Sequence, residues 1–255
     1  MTYCVALRLN RGIVFAADTR TNAGVDNIAQ FRKIHYWSKP GERVFVLLTA
    51  GNLAVTQGVV SLLTEGAQAL RKSAPASLFS VKTIFQAARV VGQAVREVRK
   101  VDGEALESNS ESFSAGFILA GQIGEERPRL FQIYAAGNFI EATPDTPYFQ
   151  IGEHKYGKPI LDRAVKFTTD IYDALKIGLI SMDSTMRSNL GVGLPIDIAV
   201  ICRDAIEAEL VHRIEAGEPY FHDLRERWSA ALRAAHMAIP RPPYGSSASS
   251  PDPGL

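Results

Sequence analysis

Thr2 follows Met1 directly, and a residue that small allows methionine aminopeptidase to remove the initiator and leave threonine at the head of the chain. An N-terminal threonine carries its own base. Its hydroxyl is the nucleophile, and its free α-amine, with a reference pKa of about 7.7–8.0, can take the proton near neutral pH. Small residues behind an initiator are common, so Thr2 needs supporting groups, and they cluster in the first 51 residues. Asp18 closes the apolar run 12–18, Lys33 follows Phe31-Arg32, and Gly51 closes Thr49-Ala50-Gly51. A lysine ammonium beside a threonine hydroxyl lowers the cost of forming the alkoxide, and an aspartate beside that ammonium keeps it charged and in place. Gly51 stands where a strand hands over to a helix, and the unpaired N–H groups at a helix start suit an oxyanion. The combined chemistry is acyl transfer at an amide bond. Taken by themselves, Asp18 and Lys33 fit a structural ion pair equally well.

These residues need elements that bring them together. Residues 3–9 and 13–18 read as strands around the turn Asn10-Arg11-Gly12, which makes a hairpin. A short strand over 33–37, a turn over 38–42 and an apolar strand over 43–50 follow. If these strands are neighbours, Thr2, Asp18 and Lys33 converge at one end of a sheet. A helix beginning near Gly51-Asn52 carries Leu53, Val60, Leu62, Leu63, Ala67 and Leu70, and a second over 81–101 carries a stripe from Ile84 to Val98. Strands are expected over 112–122, 129–135 and 139–141, helices over 155–165 and 170–187, and strands over 196–203 and 208–214. An amphipathic helix over 219–239 aligns Phe221, Leu224, Trp228, Leu232 and Ala235. Runs of strands separated by helix pairs predict an α+β fold, with two stacked antiparallel sheets covered by helices on both outer faces. The expectation is one domain over 1–240 and a disordered Pro-, Ser- and Gly-rich tail over 241–255.

Bulk properties exclude several classes. The chain has 255 residues, 46% of them hydrophobic, with 28 basic against 27 acidic side chains. That balance gives no pull toward nucleic acid or an anionic membrane. No apolar run approaches the roughly 20 residues of a membrane helix, and the N-terminus lacks a signal-peptide pattern, so the expected location is the cytosol. Cys4 and Cys202 fall in apolar runs and suit free thiols in a reducing compartment, with a disulfide between them left open. There is no phosphate-binding glycine loop, paired CxxC or HExxH, and the five histidines show no ligand spacing. No metal or organic cofactor is expected.

Thr2 behind a removable Met, Asp18-Thr19-Arg20, Phe31-Arg32-Lys33-Ile34 and Thr49-Ala50-Gly51 resemble the proteasome β-subunit family of N-terminal nucleophile hydrolases. The stretch 150–163, beginning Gln150-Ile151-Gly152-Glu153-His154, and the stretch 182–193, Met182-Asp183-Ser184-Thr185-Met186-Arg187-Ser188-Asn189-Leu190-Gly191-Val192-Gly193, resemble its bacterial Anbu branch. The resemblance covers about residues 2–240.

It implies a four-layer αββα sandwich with the site at one end of the two sheets. Thr2 would be nucleophile and base, Lys33 the partner that lowers its pKa, Asp18 the orienting group and Gly51 the oxyanion donor. Arg20 and Asn22 would line the edge that receives an extended peptide, with Leu53 near the pocket entrance. The family usually has serine where Glu153 stands and aspartate where Ser188 stands, so acid and hydroxyl have exchanged places, and Glu153 with Ser188 would complete the network beside Thr2. Family members often carry a propeptide, whereas only Met1 precedes Thr2 here. The resemblance also implies ring-like or spiral homo-oligomers, closure depending on the rotation between subunits. The leading expectation is a threonine-type hydrolase of peptide-like bonds. The alternatives are a ring scaffold with a weak or silent site and a narrow amidase on a small or modified peptide. No partner ATPase can be read from the chain.

Overall fold

A strand covered on both faces reads as an unbroken apolar run rather than an alternation. The computed structural model, which describes residues 1–22, 28–68, 77–109 and 112–242, shows that arrangement from the start. Strands β1 (Tyr3–Leu9) and β2 (Gly12–Asp18) form the expected hairpin and are buried along their whole length. Two short strands not expected from the sequence follow, β3 (Arg20–Asn22) and β4 (Ile28–Gln30), paired only with each other. A second hairpin, β5 (Ile34–Lys39) and β6 (Arg43–Gly51), leads into α1 (Leu53–Gln68) and α2 (Ile84–Ser108). Then come β7 (Ala115–Ile123), β8 (Arg129–Ile133), β9 (Phe139–Glu141) and an unexpected β10 (Tyr148–Gly152). The helices α3 (Lys158–Ala164) and α4 (Ile171–Ser188) precede β11 (Ile196–Cys202) and β12 (Leu210–Ile214).

The strands sort into two antiparallel five-stranded sheets, β10-β1-β2-β11-β12 and β5-β6-β7-β8-β9. Between them lies one core, with Cys4, Ala6, Ile13 and Phe15 facing Val44, Val46, Leu48 and Ile118. The alternate residues of the second sheet, Phe45, Leu47, Phe117 and Phe131, point outward and pack with Val59, Leu63, Ala87 and Val91 of α1 and α2. On the other side α4 lies against β1 and β2. The expected αββα sandwich is the observed architecture. The chain divides into two compact units, Met1–Glu218 and a second from Pro219 onward. The second holds α5 (Pro219–Ala238), in which Phe221 and Leu224 are buried while Leu232 and Ala235 of the same stripe are exposed. Leu70, placed in the α1 stripe, and the tail from 243 onward lie outside the described residues. Both cysteines are free, Cys4 buried and Cys202 half-buried.

Candidate active site

Lys33 does not join Thr2 and Asp18 on one sheet. Thr2 and Asp18 sit at the ends of β1 and β2, whereas Lys33 precedes β5 in the other sheet, and its carbonyl accepts the Thr49 N–H (3.0 Å). The three residues therefore meet across the interlayer gap, at one end of both sheets. Asp18 is the joint. Its Oδ1 accepts from the Tyr3 N–H (2.9 Å) and from Lys33 Nζ (2.8 Å), and Tyr3 is the residue next to Thr2. Lys33 Nζ also donates to the Arg20 carbonyl (2.6 Å). Both charged groups are buried, Asp18 at 0% and Lys33 at 5% exposure. Burial pushes the Asp18 carboxyl up, while Lys33 and the Tyr3 N–H pull it back down. Among the described residues Asp18 Oδ2 has no hydrogen-bond partner, and the Gly193 N–H adds a weaker pull on the carboxyl.

Two glycines let backbones approach at the site. Gly51, with φ +115°, closes β6 where an added Cβ would collide with the Ser114 carbonyl. Asn52 then accepts the Ala54 and Val55 N–H groups through Oδ1 (3.0 and 3.3 Å), a side-chain cap that starts α1 directly behind the glycine. Gly152, with φ +83°, ends β10 opposite Tyr3, and an added Cβ would collide with the Thr2 carbonyl. The next N–H, that of Glu153, donates to that same carbonyl (2.6 Å). Thr2 is thus held by its backbone from β10 on one side and through Tyr3 by Asp18 on the other.

Thr2, Gly51, Gly152 and Glu153 line a cavity of about 230 Å³. A second, of about 700 Å³, opens from Thr2 and Gly51 past Lys33, Phe31, His35 and Leu53. Burial lowers the His35 imidazole to about 4, so it stands neutral in that wall at physiological pH. A third cavity, of about 780 Å³, lies beyond Gly51 and Gly152, between β10, β7 and α3.

Leu53, expected near the pocket entrance, borders the second cavity. Asn22 ends β3 opposite Ile28. Arg20 turns its guanidinium to the Leu190 carbonyl (2.9 Å) rather than along the strand edge. Glu153 is half-buried beside Thr2, and its partner is Asn189, whose Nδ2 donates to Oε2 (3.1 Å). Ser188, expected as that partner, is exposed at the last turn of α4. Sequence reasoning passed over Asn189 although it adjoins Ser188 in the quoted stretch. It also passed over the buried group behind Thr2, where Tyr3 Oη and Ser181 Oγ share a hydrogen bond (2.6 Å) and Gln150 donates to the same phenol. Burial raises that phenol well above the usual range.

The fold is that of a proteasome-type sandwich with a threonine near its N-terminus, and a family profile for proteasome subunits matches residues 2–201. Solved structures narrow this. An Anbu (Gly-1) mutant from Hyphomicrobium sp. strain MC1 is 56% identical with a TM-score of 0.89, the match covering 94% of this chain and 99% of that one. Anbu (ancestral beta-subunit) from Yersinia bercovieri is 46% identical with a TM-score of 0.88, over 95% and 99%. The Pseudomonas aeruginosa Anbu complex, described as a helical assembly, is 46% identical with a TM-score of 0.88, over 94% and 98%. No curated protein sequence matches. The chain belongs to the Anbu branch of the proteasome family.

Proposed function

We propose that this chain, once Met1 is removed, is a threonine-type amide hydrolase acting on peptide or peptide-like bonds. The observation that carries the reading is Asp18 Oδ1, shared between Lys33 Nζ and the N–H next to Thr2. A buried ion pair is weak evidence for stability as such. One placed beside a primary nucleophile has a chemical use. The Thr2 hydroxyl attacks the carbonyl carbon as its α-amine takes the proton, and the Lys33 ammonium favours the alkoxide. The Gly51 N–H serves the developing oxyanion. Collapse forms the acyl ester on Thr2 Oγ and releases the amine product, which takes up that proton. Water, deprotonated by the same α-amine, then frees the acid and regenerates the hydroxyl.

Glu153, oriented by Asn189, lines the cavity at Thr2 and would serve the amine freed by removal of Met1, in the role expected of Glu153 with Ser188. Ser188→Ala is expected to leave reactivity within about twofold, because a solvated side chain contributes little, whereas Glu153→Ala lowers it. The cavity past His35 and Leu53 suits the side chain preceding the scissile bond, and the edge at Asn22 suits its backbone. The helical assembly of the P. aeruginosa relative supports self-association of this chain as an open spiral.

Intact mass spectrometry tests the reading. The purified chain is expected to lack Met1 and to gain one adduct from a threonine-directed electrophile, lost in Thr2→Ala. Retained Met1, or an adduct that survives Thr2→Ala, overturns it. The departures from the family pattern at Glu153 and Ser188 favour a second reading, a self-assembling scaffold with a silent site, which predicts assembly without any adduct.

A further inference from the structure

The segment 189–193, which links α4 to β11, meets the site at two points. Asn189 donates to Glu153 Oε2 (3.1 Å) and accepts the Gly191 N–H at its own Oδ1 (2.9 Å). The Gly193 N–H, near the other carboxylate, adds the smallest of the pulls that lower the Asp18 carboxyl. Behind this segment the β2–β11 ladder ends with Asp18 opposite Ile196, and Thr19 adds two hydrogen bonds to the Pro195 carbonyl, from its N–H (3.0 Å) and its hydroxyl (2.8 Å). Beyond Pro195 the polar grip on this segment comes from Arg20. Its Nη1 donates to the Leu190 carbonyl (2.9 Å), and its guanidinium lies against Gly193, in space that any side chain there would need. Leu190 itself is 87% exposed, so within the segment the apolar anchor is Val192, buried at 2%, and Arg20 grips the chain on either side of it. Meanwhile the Arg20 carbonyl accepts Lys33 Nζ (2.6 Å).

One residue thus holds the lysine with its backbone and the segment behind both carboxylates with its side chain. We infer that Arg20 is a positioning residue, a clamp that holds the 189–193 segment so that Asn189 is set against Glu153, and not a residue of the peptide-binding edge. This rests on the threonine-hydrolase reading above. The groups facing the Thr2 amine and hydroxyl through this shell are Lys33, Asp18 and Glu153. A guanidinium fork suits two contacts at once, one donated bond and one flat face, in a way an ammonium does not.

Three full-length variants test the clamp: Arg20→Ala, Arg20→Lys, and Gly193→Ala, which pushes the flexible guanidinium aside while leaving Arg20 in place. Two measurements are made on each. One is amide hydrogen exchange across residues 189–193, which needs no reactivity. The other is the rate of Thr2 labelling against pH, using an electrophile with a single amino-acid side chain, too short to be recognised along the strand edge. Arg20→Ala and Gly193→Ala are expected to speed exchange and to slow labelling by roughly 10–100-fold with an altered pH profile, as loosened positioning shells do. Arg20→Lys should fall between these variants and the parent. Unchanged exchange in Arg20→Ala and Gly193→Ala overturns the inference. So does an unchanged labelling profile accompanied only by slower cleavage of longer peptides, since that marks a substrate contact. If the parent chain takes no label, the hydrolase reading falls alone, and the exchange measurement still decides the clamp. Should Arg20→Ala not fold, Gly193→Ala carries both arms.

Discussion

Among the described residues, Asp18 and Lys33 are each other's only side-chain partners of opposite charge, and both are buried. Removing one partner of such a pair leaves a buried charge without compensation, a loss of about 3–5 kcal/mol. Lys33→Met is therefore expected to lower the thermal midpoint by several degrees, and Asp18→Asn added to it to restore most of the loss, read by calorimetry. Thr2 labelling should stay lost in the double variant. Recovery of labelling along with stability would mean that the pair is structural after all. His35 gives a prediction in pH. Its imidazole is lowered from 6.5 to about 4, so the unfolded chain binds the extra proton first as pH falls. The folded state then loses up to roughly 3 kcal/mol between about pH 6.5 and 4. In His35→Gln, denaturant midpoints at pH 7 and pH 4.5 should differ less than in the parent; an equal difference would exclude His35 as the source.

Elements bring these residues within reach, and their ends matter more than their middles. Gly152→Ala asks a left-handed residue to carry a Cβ into the Thr2 carbonyl. It is expected to cost about 1–3 kcal/mol of strain and to slow Thr2 labelling more than its melting shift explains. Asn52→Ala removes the α1 cap and should cost about 1 kcal/mol, with the labelling rate falling only as far as Gly51 is displaced. The long elements could be read from the chain because their apolar residues recur at helical spacing or run unbroken. In α1 the period is set by neighbours one residue apart, and Leu63 is buried while Leu62 is 40% exposed. The strands β3, β4 and β10 escaped that reading. They are three to five residues long, a length at which apolar pattern alone does not separate strand from loop; β9, equally short, was legible through the turn Ala136-Gly137-Asn138 before it. Ser188 and Asn189 were likewise beyond periodicity. Ser188 is the last helical residue and faces water, whereas Asn189 leaves the helix in an extended conformation and reaches Glu153.

For the whole molecule, the core between the sheets is what keeps the two halves of the site in register. Phe15 is fully buried there, and Phe15→Ala is expected to cost about 3–5 kcal/mol and to weaken Thr2 labelling although it stands mid-strand, opposite Ala6 and Ala199. Loss of stability with unchanged labelling kinetics in the folded fraction would separate the core from the site. Self-association as an open spiral predicts a sedimenting species well above the 27.8 kDa chain mass, with a size that rises with protein concentration because such an assembly does not close. One size at all concentrations would point to a closed ring.

The sequence by itself determined the nucleophile candidate, the lysine and aspartate, the glycine at the strand-to-helix handover and the αββα class. Residue type, short-range spacing and apolar runs carry all of these. Only the tertiary structure decided that Lys33 reaches Asp18 from the opposite sheet, because two similar hairpins give no local sign of which sheet each will join. It also decided that Asn189 rather than Ser188 meets Glu153, 36 residues away in the chain, and that Arg20 turns to the 189–193 segment. Those pairings depend on which side chains remain within hydrogen-bonding reach once two sheets have closed over a shared core, and no spacing along the chain encodes that.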